Sequence, residues 1–253
     1  MRKSILPITL FFSGLLLFSS CKKETTSLSE MEKGQNFYPL EVGKYVVYDV
    51  DSLIWNDHLR ATIPSQCQLR YSVSDTFRND AGEMAYVINV QYRKTAADAY
   101  VPHNVLYAAS HNGQLVVTQD NLKFIKLTFP VENGTHWNGN AMIALGDEAN
   151  AEYDNNKWNY TYADFDQSFN TGVKLFQHTV TVNEIDDKLN DPDKDSTAYA
   201  YKNYAQEVYA YNVGMVYRER IYWIFQPKSP DGQSGGSGYR KGYSVTMKAV
   251  DHN

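Results

Sequence analysis

The alternation over residues 66–73 limits the fold more than any other feature of the chain. Cys67, Leu69, Tyr71 and Val73 interleave with Gln66, Gln68, Arg70 and Ser72. A period of two puts the apolar set on one face of an extended strand and the polar set on the other, a separation that helical spacing does not produce. The period returns where Tyr86, Ile88, Val90 and Tyr92 alternate with Val87, Asn89, Gln91 and Arg93. Asn79-Asp80-Ala81-Gly82 lies between the two runs and supplies turn residues, so the pair reads as a hairpin.

The rest of the chain repeats this theme. Strands are expected over 44–55, 105–110, 114–118, 122–129, 173–185, 199–211, 215–226 and 243–250. Asn112-Gly113 can take the positive φ angles of a tight hairpin turn, and Asn212-Val213-Gly214 marks another turn. Residues 138–172 are the least regular stretch, with room for a short helix at 138–150. Residues 186–197 read as an acidic loop and 227–242 as a Gly/Ser loop. Twenty Tyr, eleven Phe and four Trp suit sheets packed on one side and wet on the other. About ten strands joined mostly by hairpins predict an all-β fold: an antiparallel sheet forming a sandwich or open barrel. A single domain over 37–253 with one long irregular insertion is the expected organisation.

The chain carries a net charge of −5 and no Lys/Arg cluster, so it lacks the electrostatic footprint of a nucleic-acid binder. Arg2 and Lys3 precede an apolar run over 5–18 that is too short to span a bilayer of ~30 Å. Residues 1–20 therefore read as a secretory signal peptide. Leu17-Phe18-Ser19-Ser20-Cys21 resembles the lipobox of bacterial lipoproteins. That resemblance implies cleavage before Cys21, a diacylglyceryl group on its sulfur and an acylated amino group. Several acyl chains hold a protein at a membrane where one does not. Cys67 is then the remaining thiol, expected as a small buried hydrophobe on its strand, with no disulfide partner. Residues 21–36 are polar and read as a lipidated flexible tether. Lys22-Lys23-Glu24 partly resembles the surface-export signal of Bacteroidota lipoproteins, but one acid leaves periplasmic and surface-exposed placement both open.

Three stretches resemble a family of uncharacterised Bacteroidota outer-membrane lipoproteins: Phe37-Tyr38-Pro39-Leu40-Glu41-Val42-Gly43-Lys44-Tyr45, Phe129-Pro130-Val131-Glu132-Asn133-Gly134-Thr135-His136-Trp137-Asn138-Gly139-Asn140, and Glu207-Val208-Tyr209-Ala210-Tyr211-Asn212-Val213-Gly214-Met215-Val216-Tyr217-Arg218-Glu219. The resemblance implies a β-rich body at the cell envelope and no particular chemistry.

Candidate sites are few. Glu207 and Glu219, with Arg218 and Arg220 around one hairpin, could furnish the paired carboxylates of glycoside hydrolysis. A two-residue loop would instead set Glu207 opposite Arg220 as a cross-strand ion pair, the favoured reading. Asp191, Asp193 and Asp195 resemble the opening of a calcium loop, but Ser196 and Lys202 stand where that loop needs Gly and Glu. Asp195-Ser196-Thr197 resembles the O-glycosylation motif of exported Bacteroidota proteins and makes Ser196 the candidate acceptor; Asp51-Ser52-Leu53 matches too. The six histidines have no zinc-motif spacing, and His178, between Phe176 and Val180, reads as a hydrogen-bonded core residue. No metal, cofactor or nucleophile motif is present in the sequence. Trp137, Trp158, Tyr160 and Tyr162 form a candidate aromatic binding surface for a sugar or a partner, set against a role as minor core.

The expected function is a membrane-anchored, non-catalytic binding or assembly subunit with a protein or glycan partner. A glycan-acting hydrolase with an acidic pair in one cleft, and a lipid carrier or sensor with an apolar barrel cavity, are the alternatives.

Overall fold

The structure is a computed structural model that describes residues 29–144, 146, 150–153, 157–228 and 238–253. Cys21 and residues 1–20, the expected signal peptide, lie outside the described residues, as does most of the Gly/Ser loop.

Among the described residues, twelve antiparallel strands make one sheet in the order β6-β5-β4-β3-β2-β1-β12-β11-β10-β9-β8-β7. They are β1 (Tyr45–Asn56), β2 (Ala61–Arg78), β3 (Met84–Arg93), β4 (Val101–His111), β5 (Gln114–Gln119), β6 (Leu122–Thr128), β7 (His136–Asn138), β8 (Asn159–Asn170), β9 (Leu175–Leu189), β10 (Ala200–Ala210), β11 (Gly214–Gln226) and β12 (Tyr239–His252). Every strand pairs with its sequence neighbours except at one place, and β12 returns to pair with β1. The result is an up-and-down barrel broken between β6 and β7.

The sequence explains most of the register. Asn112 and Gly113 both have positive φ and close the β4–β5 hairpin; Asp120 and Asn121 do the same between β5 and β6. The β10–β11 turn departs from expectation. Its loop is Tyr211-Asn212-Val213, with Ala210 paired to Gly214, and a register shift follows at Val208/Tyr209. Glu207 is therefore opposite Arg218, not Arg220, because left-handed Asn212 and Gly214 place the turn earlier than a two-residue loop would.

Two further expectations change. Residues 159–170 of the presumed irregular insertion are strand β8, whose polar outward residues and two register shifts blur the alternation. His178 is exposed, not in the core. It has a positive φ in the irregular part of the β8–β9 pairing, and its Nδ1 lies 2.6 Å from Asp166 Oδ1. Left-handed backbone at Asp164, Asp166 and His178 breaks the period of two along β8 and β9.

The break between β6 and β7 is closed by aromatic side chains and one backbone bond. β7 is three residues long, too short to pair β6 along its length. The Trp137 indole instead donates to the Ile125 carbonyl at 2.7 Å, and the Ile125 amide donates to the Gly139 carbonyl at 2.8 Å. One turn further, the Tyr162 hydroxyl accepts from the Thr128 amide and donates to the Thr128 carbonyl, both at 2.9 Å. Buried backbone groups must be paired, and here aromatic donors take the place of a missing strand partner.

One end of the barrel is plugged by the chain that precedes β1. Residues 29–36, read in the sequence as the end of the tether, begin with a single helical turn, α1 (Glu30–Lys33), closed by a Ser29/Glu32 capping box. The Val131 amide donates to the Glu32 carbonyl, and the Asn212 amide to the Asn36 carbonyl. Phe37, fully buried, then meets Phe165 and Tyr211 edge-on. Burying one such ring stabilises the fold by about 1.5–3 kcal/mol.

Candidate functional site

The barrel interior holds a charged network beside a cavity of about 450 Å³. Lys126 on β6 donates to Glu184 Oε1 on β9 at 2.7 Å and to Glu207 Oε1 on β10 at 2.8 Å. Arg218 on β11 adds bonds from Nε at 2.7 Å and Nη2 at 2.5 Å to the same Glu207 oxygen. The Tyr209 hydroxyl donates to Glu207 Oε2. Lys126, Glu184 and Glu207 are all buried.

Local irregularities aim two of these charges. Leu115 pairs with Leu127 and Val116 with Ile125, so Lys126 is the unpaired extra residue of a bulge. Ala205 pairs with Ile185 and Gln206 with Asn183, so Glu184 is another. A bulge turns a side chain out of the regular alternation, and both residues here line the cavity. Glu207 needs no such device: it lies on the inner face beside its cross-strand partner Arg218.

The two carboxylates differ in environment. Burial opposes ionisation of Glu207, but the adjacent Arg218 and Lys126 charges and the Tyr209 hydrogen bond outweigh it, holding its pKa down at about 2. Glu184 is pushed the other way, first by burial and then by the negative charge of Glu207, with Lys126 offsetting part of the rise. Both Glu207 oxygens are engaged. Glu184 Oε2 takes no bond from any described residue, and it is not among the solvent-excluded, unpartnered atoms. It is an acceptor open to the cavity.

A second cluster flanks the first. Arg220 donates to Asn203 Oδ1 at 2.6 Å and to Glu152 Oε2 at 3.0 Å, and the Tyr243 hydroxyl reaches the same Glu152 oxygen at 2.8 Å. Asn203 and the Trp158 indole both donate to the Glu152 backbone carbonyl. The guanidinium lies 5.2 Å from the Trp158 ring centre and 5.8 Å from that of Tyr153.

The residues singled out from sequence separate clearly. Trp137, Trp158, Tyr160 and Tyr162 are each at most 9% exposed, so they form no outward stacking surface. Trp137 and Tyr162 close the barrel seam, while Trp158 and Tyr160 back the cavity. Glu219 pairs with Gln206 and accepts from the Tyr217 hydroxyl; it also lines the cavity but shares no bonding partner with Glu207. The carboxylate that joins Glu207 is Glu184 on the neighbouring strand β9. The sequence signal for the network was a charge within each apolar run: Lys126 between Ile125 and Leu127, and Glu207 before Val208.

The acidic loop is used internally. Asp191 Oδ1 accepts from the Asp193 amide, Asp193 pairs with Arg240 at 3.0 Å, and Asp195 accepts from Thr197. Among the described residues no three His, Cys, Asp or Glu side chains gather as a metal site. Ser196 is exposed. Cys67 is half-buried, and burial raises its thiol pKa.

Fold and site together define a nearly closed up-and-down β-barrel, plugged at one end, with a charge-paired interior chamber. No family model matches the chain, and no curated protein does. Among solved structures it is similar to a Bacteroides fragilis protein described as a candidate exported protein with a YmcC-like fold. The two share 15% identity with a TM-score of 0.35, over 85% of this chain and 99% of that one.

Proposed function

We propose that the protein is a lipid-anchored envelope protein of the non-catalytic binding type, and that its barrel holds a small molecule beside Lys126, Glu184 and Glu207. The observation that carries this reading is the cavity itself. At about 450 Å³ it falls in the range of small-molecule sites, roughly 300–1,000 Å³, and an unused carboxylate oxygen opens into it. Binding is favoured over hydrolysis because Lys126, Arg218 and Tyr209 tie Glu207 into an ion-pair network that holds its carboxylate charged and weakly basic, which does not suit a general acid or base. A lipid carrier is disfavoured because buried charges face the chamber, and an acyl chain would leave their remaining valences unmet.

The anchor belongs to the same reading. The signal-like start and Cys21 support attachment, and the resemblance to Bacteroidota lipoproteins supports the outer membrane. Ser29, the first described residue, lies at the plugged end. Eight residues from Cys21 reach at most about 28 Å, so the cavity end, toward the Gln119–Leu122 turn, points away from the membrane.

Native mass spectrometry of the protein isolated from its own envelope tests the reading. A bound small molecule is expected on the natural chain and absent from Ala205→Trp, which fills the chamber. Retention of the same mass by a folded Ala205→Trp protein places the ligand elsewhere and overturns it.

A further inference from the structure

We propose that the chamber takes a small organic ammonium compound, with N–H groups on its charged nitrogen, in preference to neutral or anionic analogues of the same size. This inference deepens the binding reading above and rests on it.

Charge along the cavity wall is unequal. Lys126, Arg218 and Arg220 line it, and each is already held by a carboxylate. Their partners Glu184, Glu207 and Glu152 balance them one for one. Asp120 and Glu219 line the same cavity and make no ion pair among the described residues. Asp120 accepts from the side-chain amides of Asn104 at 3.1 Å and Gln119 at 3.3 Å, and Glu219 accepts from the Tyr217 hydroxyl at 3.2 Å. The described wall therefore holds two more carboxylates than Lys and Arg side chains, and keeps a negative excess even with His103 protonated. An anion entering it meets spare negative charge and no spare positive charge. A neutral ligand displaces the water that screens these carboxylates and brings no charge to replace it. A cation brings the missing counter-charge.

The acceptor for that cation is Glu184. Its side chain is only 6% exposed, yet Oε2 takes no bond from any described residue and opens to the cavity. Oε1 shares the Lys126 ammonium with Glu207, which Arg218 holds as well. Burial and the Glu207 charge push the Glu184 pKa up despite Lys126, so this carboxylate is short of positive charge where its free oxygen lies. An N–H on a charged nitrogen supplies the hydrogen bond and the charge in one contact.

The surrounding rings favour the same ligand. Lys126 Nζ lies 5.5 Å from the Phe124 ring centre and 5.6 Å from that of Tyr160, and the Arg220 guanidinium lies 5.2 Å from the Trp158 ring centre and 5.8 Å from that of Tyr243. Aromatic faces attract cations, so the wall that stabilises these resident charges suits an incoming one. Tyr153 and Tyr243 are half-buried and line the cavity, leaving ring surface for the ligand.

Isothermal titration of the full mature protein, purified with its anchor and dialysed free of small molecules, tests this. The probes are benzylamine, putrescine and glucosamine. Benzyl alcohol, butanediol and glucose are their neutral counterparts, and benzoate, succinate and glucuronate their anionic ones. At least one amine is expected to bind about tenfold or more tighter than both its counterparts, the scale of a charged hydrogen bond. Its trimethylammonium derivative keeps the charge but has no N–H, and should bind about tenfold more weakly, as should the amine to Glu184→Gln. Exposed His136→Ala should leave binding unchanged. No amine binding at about 10 mM, or an equal or tighter neutral or anionic counterpart, overturns the cation assignment. Equal binding of the trimethylammonium derivative overturns the Glu184 contact. These comparisons between ligands hold whether or not a variant folds; circular dichroism and melting curves are read beside every variant titration. If the natural chain carries a neutral or anionic bound mass that folded Ala205→Trp loses, the chamber reading stands and only the ligand class falls. Amine binding that survives in a folded Ala205→Trp protein puts the amine outside the chamber and overturns both.

Discussion

Replacing Lys126 by Met tests the interior network most directly. Met keeps the unbranched shape and removes the ammonium that two buried carboxylates share at 2.7 and 2.8 Å. Lys126 and Glu184 side chains are 9% and 6% exposed and that of Glu207 is 1% exposed, so water replaces little of what is lost. Breaking a buried ion pair by removing one partner costs about 3–5 kcal/mol. Arg218 still holds Glu207, so most of the loss falls on Glu184.

The sign with pH follows from that carboxyl. Its pKa is already raised in the folded chain by burial and by Glu207, and it rises further without Lys126. A carboxyl whose folded pKa exceeds its unfolded value destabilises the fold at high pH and does so less as pH falls through the folded pKa. Urea unfolding at pH 7 and pH 5 should therefore show a loss of about 3–5 kcal/mol that shrinks at the lower pH. Adding Glu184→Gln should recover about 2 kcal/mol at pH 7, a coupling expected only of bonded neighbours. A cost below about 1 kcal/mol, equal at both pH values and additive with Glu184→Gln, would refute the reasoning.

Glu207 predicts the opposite acid behaviour. Its pKa falls from 4.5 to about 2 on folding, worth about 3 kcal/mol that is present above pH 4.5 and lost toward pH 2. Glu207→Gln should lose that dependence in acid denaturation followed by circular dichroism; an unchanged profile would count against the assignment. Gly139→Ala should cost about 1–3 kcal/mol by urea melt, because an added Cβ would lie 2.3 Å from the Tyr160 ring in the core. A neutral effect would show that the seam relaxes freely. Radiolabelled palmitate should enter the natural precursor and fail to enter Cys21→Ser; equal labelling of both would exclude lipidation at Cys21.

The three sequence stretches that resembled Bacteroidota lipoproteins have different structural jobs. Phe37 and Tyr38 plug the barrel end, Trp137 and Gly139 close the seam, and Glu207 with Arg218 holds the interior charges. Turn chemistry at Asn112-Gly113 and the period of two in β2 and β3 were readable directly, because both follow from backbone sterics within a few residues. β8 and His178 were not, since left-handed residues inside a strand shift which face each side chain takes.

The sequence by itself determined the alternating strands and the hairpin turns of an all-β chain. These depend on local periodicity and composition. Only the tertiary structure decided that Lys126 and Glu184, 58 residues apart, share one bond and that Trp137 substitutes for a strand partner. Bulges set those contacts, and closure of the sheet brings its distant members together. A barrel's interior belongs to no single strand, so no local pattern could have named its occupants.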